Sequence, residues 1–81
     1  MALIGSVSSP QALGLLMQQA RLSRGLSQQQ VAAQLGISQG YVSELESGKT
    51  SLALIRIFDI MRLTGMTLSA EIPEGSTDAL A

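Results

Sequence analysis

The sequence predicts an all-α domain of four to five short helices with one short C-terminal strand. Three observations carry that expectation. Hydrophobic residues make up 46% of the 81 residues but aromatics only 2%. Leu, Ile, Val, Ala and Met must therefore build the core, a mix that favours helices over a sandwich or barrel. Capping residues followed by apolar positions at helical spacing recur from Ser9 to Gly65. Only beyond Gly65 does the apolar period change to two.

Length allows a single small core and no second domain. With 14% charged residues and a formal net charge of −1, the chain is neither a disordered acidic tail nor a polybasic arm. The absence of Cys and His removes disulfides, thiolate or imidazole metal sites, cysteine nucleophiles and histidine acid/base pairs. No enzyme, cofactor or metal centre is expected, because Ser and Glu are scattered without a base or metal cluster. The opening MALIGSVSS lacks a basic segment and no 18-residue apolar run follows, so neither a signal peptide nor a membrane span is expected and the protein reads as cytoplasmic. A core this small supplies only about 3–5 kcal/mol, which makes a homodimer the default expectation.

Residues 1–8 form an N-terminal arm without a clear period, in which a short strand containing Leu3, Ile4 and Val7 is one reading. Ser9 and Pro10 read as an N-cap and first helical residue, and Leu13, Leu16, Met17 and Ala20 give a buried stripe for a helix over about 10–23, stopped at Gly25. Ser27 with Gln30 forms a capping box for a second helix with Val31, Ala32 and Leu35 inward, ended by Gly36. Ser38 caps a third helix over 39–47, ended by Gly48; the two residues between Gly36 and Gln39 force a sharp turn between two short helices, a helix-turn-helix. Ser51 caps a fourth helix to about Leu63.

Met66, Leu68, Ala70 and Ile72 then alternate with Thr67, Ser69 and Glu71, a strand over 66–72 stopped by Pro73. A lone strand leaves its backbone unsatisfied. Its partner is either the Leu3–Val7 segment or, as the better candidate, the same strand of a second subunit. The expected organisation is an arm (1–8), a helix-turn-helix domain (9–65), a dimerisation strand (66–72) and a flexible tail (73–81).

From Gln28 to Ser47 the residues meet the demands of a twenty-position DNA-binding helix-turn-helix: Val31, Leu35, Ile37, Val42 and Leu45 apolar, Ala32 small at the crossing, Gly36 at the reversal. With Val42 and Leu45 inward, about 100° per residue puts Gln39, Gly40, Ser43, Glu44 and Ser47 on the outward arc. Short side chains there let a helix sink into a major groove. Gln39 can pair with the N6/N7 edge of adenine, Gly40 permits close approach, and Ser43 can bond a base edge. Glu44 accepts from cytosine N4, repels phosphate and so disfavours wrong registers, or is a solvated carboxylate. Gln28 in the first turn of the second helix, Ser38, Tyr41 and Lys49 are candidate backbone contacts; for Tyr41 packing against the second helix, and for Lys49 plain solvation, are the alternatives. Five basic and three acidic residues precede Glu71, whereas Glu71, Glu74 and Asp78 follow with no further base. The acidic end therefore hides a weakly basic body, and few cations are available for phosphate.

The segment RLSRGLSQQQVAAQLGISQGYVSELESGKTS resembles the Cro/repressor type of helix-turn-helix, the XRE family, through its G-L-S-Q opening, A-x3-G turn and S-x-L-E-x-G-K exit. The resemblance implies a lambda-repressor-like fold and a buried structural ion pair between Arg21 and Glu46. The stretches SSPQALGLLMQQAR and TSLALIRIFDIMRLTGMTLSAEI resemble HipB-type antitoxins. That likeness implies an autoregulatory repressor of a toxin–antitoxin operon whose strand (Met66, Leu68, Ala70, Ile72) pairs with its twofold mate. It also implies a palindromic operator and a HipA-type kinase toxin as partner. Ser38 and Gly40 stand where some relatives carry bulkier or basic residues, so no operator sequence is implied. A phage-type repressor or restriction–modification controller shares these helices without a toxin, and a protein-interaction module shares the scaffold without DNA binding.

Overall fold

The computed structural model of the chain describes residues 3–49 and 51–74. Its elements run β1 (Leu3–Ser6), α1 (Pro10–Ser23), α2 (Gln28–Leu35), α3 (Gln39–Glu46), α4 (Leu52–Thr64) and β2 (Ser69–Ile72). All four helices start at a serine in extended conformation whose hydroxyl accepts an amide three residues on: Ser9 from Ala12, Ser27 from Gln30, Ser38 from Tyr41 and Ser51 from Leu54. Each such cap contributes about 1 kcal/mol. At α2 the box is closed, because the Ser27 amide also donates to the Gln30 side-chain oxygen at 2.7 Å.

The turn between α2 and α3 depends on Gly36, which is left-handed at φ 68° and returns its amide to the Ala32 carbonyl. The Ile37 amide reaches the same carbonyl at 3.0 Å. Any side chain at Gly36 would strain this reversal. Buried Ala32 and Val42 line the inner side of the helix pair, and α3 packs on both α1 and α2.

The second packing centre lies where α4 meets the start of the chain. Val7, Phe58 and Met61 are buried together, with Leu13, Leu16, Leu54 and Ala70 against them. β1 and β2 pair antiparallel in the register Leu3↔Ile72, Ile4↔Glu71, Gly5↔Ala70 and Ser6↔Ser69. The Val7 amide continues the pairing to the Leu68 carbonyl at 2.8 Å.

Three sequence expectations need correction. The described residues contain two strands rather than one: residues 3–6 of the expected arm are β1 and pair with β2 within the chain, the partner that the sequence ranked second. The C-terminal strand starts at Ser69 rather than Met66, so Ala70 and Ile72 point into the chain's own core while Met66 and Leu68 are exposed. Leu35 is 66% exposed and Met17 lies at the surface, because α2 ends at Leu35, no described element covers that end, and both side chains border an open apolar hollow. Four helices are present among the described residues. Of the expected tail, residues 75–81 lie outside the described residues. No helix among the described residues is long and apolar enough to cross a membrane.

Candidate nucleic-acid interface

The outward arc of α3 is held by polar contacts that start deep in the helix bundle. On α1, the Arg21 guanidinium donates from Nε to Glu46 Oε2 at 2.6 Å and from Nη2 to Glu46 Oε1 at 2.9 Å, with the two side chains 11% and 7% exposed. Its Nη1 donates to the Leu26 carbonyl at 2.8 Å, bracing the α1–α2 loop. Three donors in a fixed fork thus tie the end of α1, the last residue of α3 and the loop before α2. The hydrogen bonds from Arg21, opposed by burial and reinforced by Gln28, hold the Glu46 carboxyl below the usual carboxylate range. The same bond with Glu46 raises Arg21, against the opposing effect of burial.

Close approach of backbones makes this fork possible. Gly14 is buried on α1, and a Cβ there would sit 2.5 Å from the Glu46 carbonyl oxygen and 2.7 Å from that of Leu45. Only glycine lets α1 pass this near the end of α3. Sequence reading missed Gly14; the available signal was a glycine inside an otherwise strong helical pattern, where it costs about 1 kcal/mol against alanine unless packing needs it.

From Glu46 the polar chain continues outward. Gln28 Nε2 donates to Glu46 Oε1 at 3.1 Å. A carboxylate only accepts, so this bond orients the Gln28 amide and turns its oxygen away, where it accepts from Gln39 Nε2 at 3.4 Å. Gln28 is half-buried and Gln39 exposed. Sequence reading placed Gln28 and Gln39 as separate contacts; the structure brings them together at the N-terminal ends of α2 and α3. With one Gln39 N–H given to Gln28, the carbonyl oxygen and second N–H of this exposed side chain remain for another partner. That is the acceptor–donor pair that matches the N6/N7 edge of adenine.

Gly40, Ser43, Glu44 and Ser47 are all exposed alongside Gln39, so the arc has no large apolar side chain. Ser38 spends its hydroxyl on the α3 cap, and Ser47 donates to the Glu44 carbonyl at 2.8 Å. Tyr41 is exposed, not packed away, and Lys49 Nζ lies 3.5 Å from Glu44 Oε1 in an exposed pair. Tyr41, Glu44, Lys49 and Ser51 border an open hollow of about 330 Å³ between α3 and the start of α4. An apolar hollow of about 150 Å³ opens on the other side, between Met17, Val31, Leu35 and Leu45. Among the described residues no group of three or more His, Cys, Asp or Glu side chains is arranged to hold a metal ion.

A helix-turn-helix family model, HTH_3, matches residues 17–70, about two thirds of the chain, from the middle of α1 into β2. The chain belongs to the XRE-type helix-turn-helix family. As a member of it, this helix-turn-helix protein is a DNA-binding transcription regulator. No curated protein and no solved structure matches the chain.

Proposed function

We propose that this helix-turn-helix protein is a sequence-specific repressor that binds a palindromic operator as a homodimer. In each half-site α3 enters the major groove and Gln39 reads an adenine. The observation that carries the proposal is the Glu46–Gln28–Gln39 chain, which uses one N–H of the exposed Gln39 side chain and leaves it an acceptor and a donor on an arc of short side chains. Ser43 contributes a second base-edge bond and Gly40 allows close approach. Glu44 disfavours wrong registers or accepts from cytosine, whereas Gln28, Ser38, Tyr41 and Lys49 face the sugar–phosphate backbone. With few cations, amide and hydroxyl donors do much of the positioning.

The finer reading, an autoregulatory antitoxin paired with a HipA-type kinase toxin, is supported by the likeness of residues 8–21 and 50–72 to HipB-type antitoxins. Two experiments separate the layers. Titration of a labelled duplex from upstream of the gene should give saturable binding that Gln39→Ala and Ser43→Ala each weaken; affinity and sequence preference unchanged in both variants favour a protein-interaction module. Expression with the neighbouring gene should then co-purify a kinase-like protein; a repressor that binds its own upstream duplex but has no such neighbour is a phage-type repressor or controller.

A further inference from the structure

The described residues bury only six hydrophobic side chains and expose thirteen large ones. The exposed ones are not scattered. At about 100° per residue the inward side of α4 is Leu54, Phe58 and Met61. Ala53, Ile57, Ile60 and Thr64 follow one another at intervals of four, three and four along another side, with Leu52 and Leu63 on its flank. Ile60 is 56% and Leu63 88% exposed. The corresponding outer stripe of α1 has Leu15 and Leu22 interrupted by Gln11, Gln18 and Gln19. On α4 the only charged side chain within the arc is Arg56, and its head is drawn to Asp59 at 3.2 Å, which also binds Arg62. The charges thus satisfy one another along one flank and leave the arc apolar.

We infer that this face of α4 is the contact between two copies of the chain, packed antiparallel about a twofold axis near the middle of the helix. The inference rests on the dimeric part of the function proposed above. The spacing four–three–four is that of a helix-pairing seam. It is also self-complementary: an axis between residues 58 and 59 sets Ile57 against Ile60 of the second copy and the small Ala53 against Thr64. Burying Leu52, Ile57, Ile60 and Leu63 in both copies removes on the order of 1,000 Å² from water, the area at which specific interfaces begin. A formal net charge of −1 opposes association little. β2, whose inward residues Ala70 and Ile72 are already used within the chain, is then not required to hold the dimer.

Sedimentation of the full chain over a range of concentrations tests this. The wild type should be dimeric at micromolar concentration. Ile60→Glu should raise the dissociation constant at least 100-fold with its helical circular dichroism retained, and Leu68→Glu should leave the dimer intact. If Ile60→Glu does not fold, Ile57→Cys combined with Ile60→Cys reads the same face, since the chain has no cysteine of its own; oxidation should link two copies. A monomeric wild type, a dimer untouched by Ile60→Glu, loss of the dimer on Leu68→Glu alone, or failure of the double cysteine variant to cross-link overturns the inference. The last but one of these reassigns the contact to the strand. Binding to the upstream duplex is read in parallel. A dimer broken by Ile60→Glu in a protein that binds no duplex removes the DNA reading and leaves this interface, and a duplex-binding protein whose dimer ignores Ile60→Glu does the reverse.

Discussion

The two halves of this molecule are held together by different forces. Around α1–α3 the fixed points are directional: the Arg21 fork on Glu46, the capping box at α2 and the Gln28 bridge, while an apolar hollow of about 150 Å³ stays open beside them. Around α4 and the sheet the fixed points are Val7, Phe58, Met61 and Ile72, buried with no ionic contact among them. The outer faces differ in the same sense, polar on α3 and apolar on α4. Reading a base edge needs hydrogen-bonding groups held in angle as well as place, which hydrophobic burial alone does not provide because it is non-directional. The half that orients Gln39 is accordingly built on hydrogen bonds, and the half that supports it on packing.

The largest effects should come from removing one fixed point in each half. Phe58→Ala creates a cavity and Glu46→Ala leaves Arg21 nearly buried and unpaired; each should cost about 3–5 kcal/mol in denaturant unfolding. Their consequences for DNA should differ. At a temperature where both remain folded, Phe58→Ala should keep its sequence preference, and Glu46→Ala, having lost the anchor of Gln28, should blur it. Equal preference in the two variants would erase the distinction drawn between the halves.

Acid should act on the polar half first. Because Glu46 titrates below its ordinary range in the folded chain, its contribution is fully present above the unfolded value of about 4.3 and is lost as pH falls through the depressed folded value. Wild-type stability should therefore drop more steeply on acidification below about pH 5 than that of Glu46→Gln, measured by urea midpoints at each pH. Parallel slopes would show that Glu46 does not carry the difference.

Smaller effects should follow at the interface itself. Gln39→Ala should weaken binding to the preferred duplex by about 1–3 kcal/mol and relax one base-pair position in each half-site. Lys49→Ala should weaken all duplexes alike and lower the slope of log affinity against log salt by about one. An unchanged slope would remove Lys49 from the phosphate contacts and leave it as the exposed partner of Glu44.

The helices were legible because their signals are local: a serine at each start, a glycine after each end, and an apolar stripe between them. The outward position of Gln39, Gly40, Ser43 and Glu44 followed from the helical period alone. What escaped was set by distant neighbours. β1 is a four-residue strand containing a glycine, and its partner lies at the other end of the chain. The length of β2 was overread for the same reason, since alternation continued back to Met66 but the paired register ends at Ser6↔Ser69, with only the Val7–Leu68 bond beyond it. Leu35 had the right period, yet no described element packs over the end of α2. The Arg21–Glu46 pair was expected from family likeness rather than from spacing. The bridge from Gln28 on α2 to both ends of α3, Gln39 and Glu46, has no local signature.

The most direct test is selection of bound duplexes from a random-sequence pool, run with the wild type and with Gln39→Ala. The wild type should return a palindrome with an adenine at one fixed position of each half, and the variant should return the same palindrome with that position alone degenerate. A pool that shows no enrichment with the wild type, or an identical palindrome with both proteins, contradicts the assignment of Gln39 as the residue that reads the base.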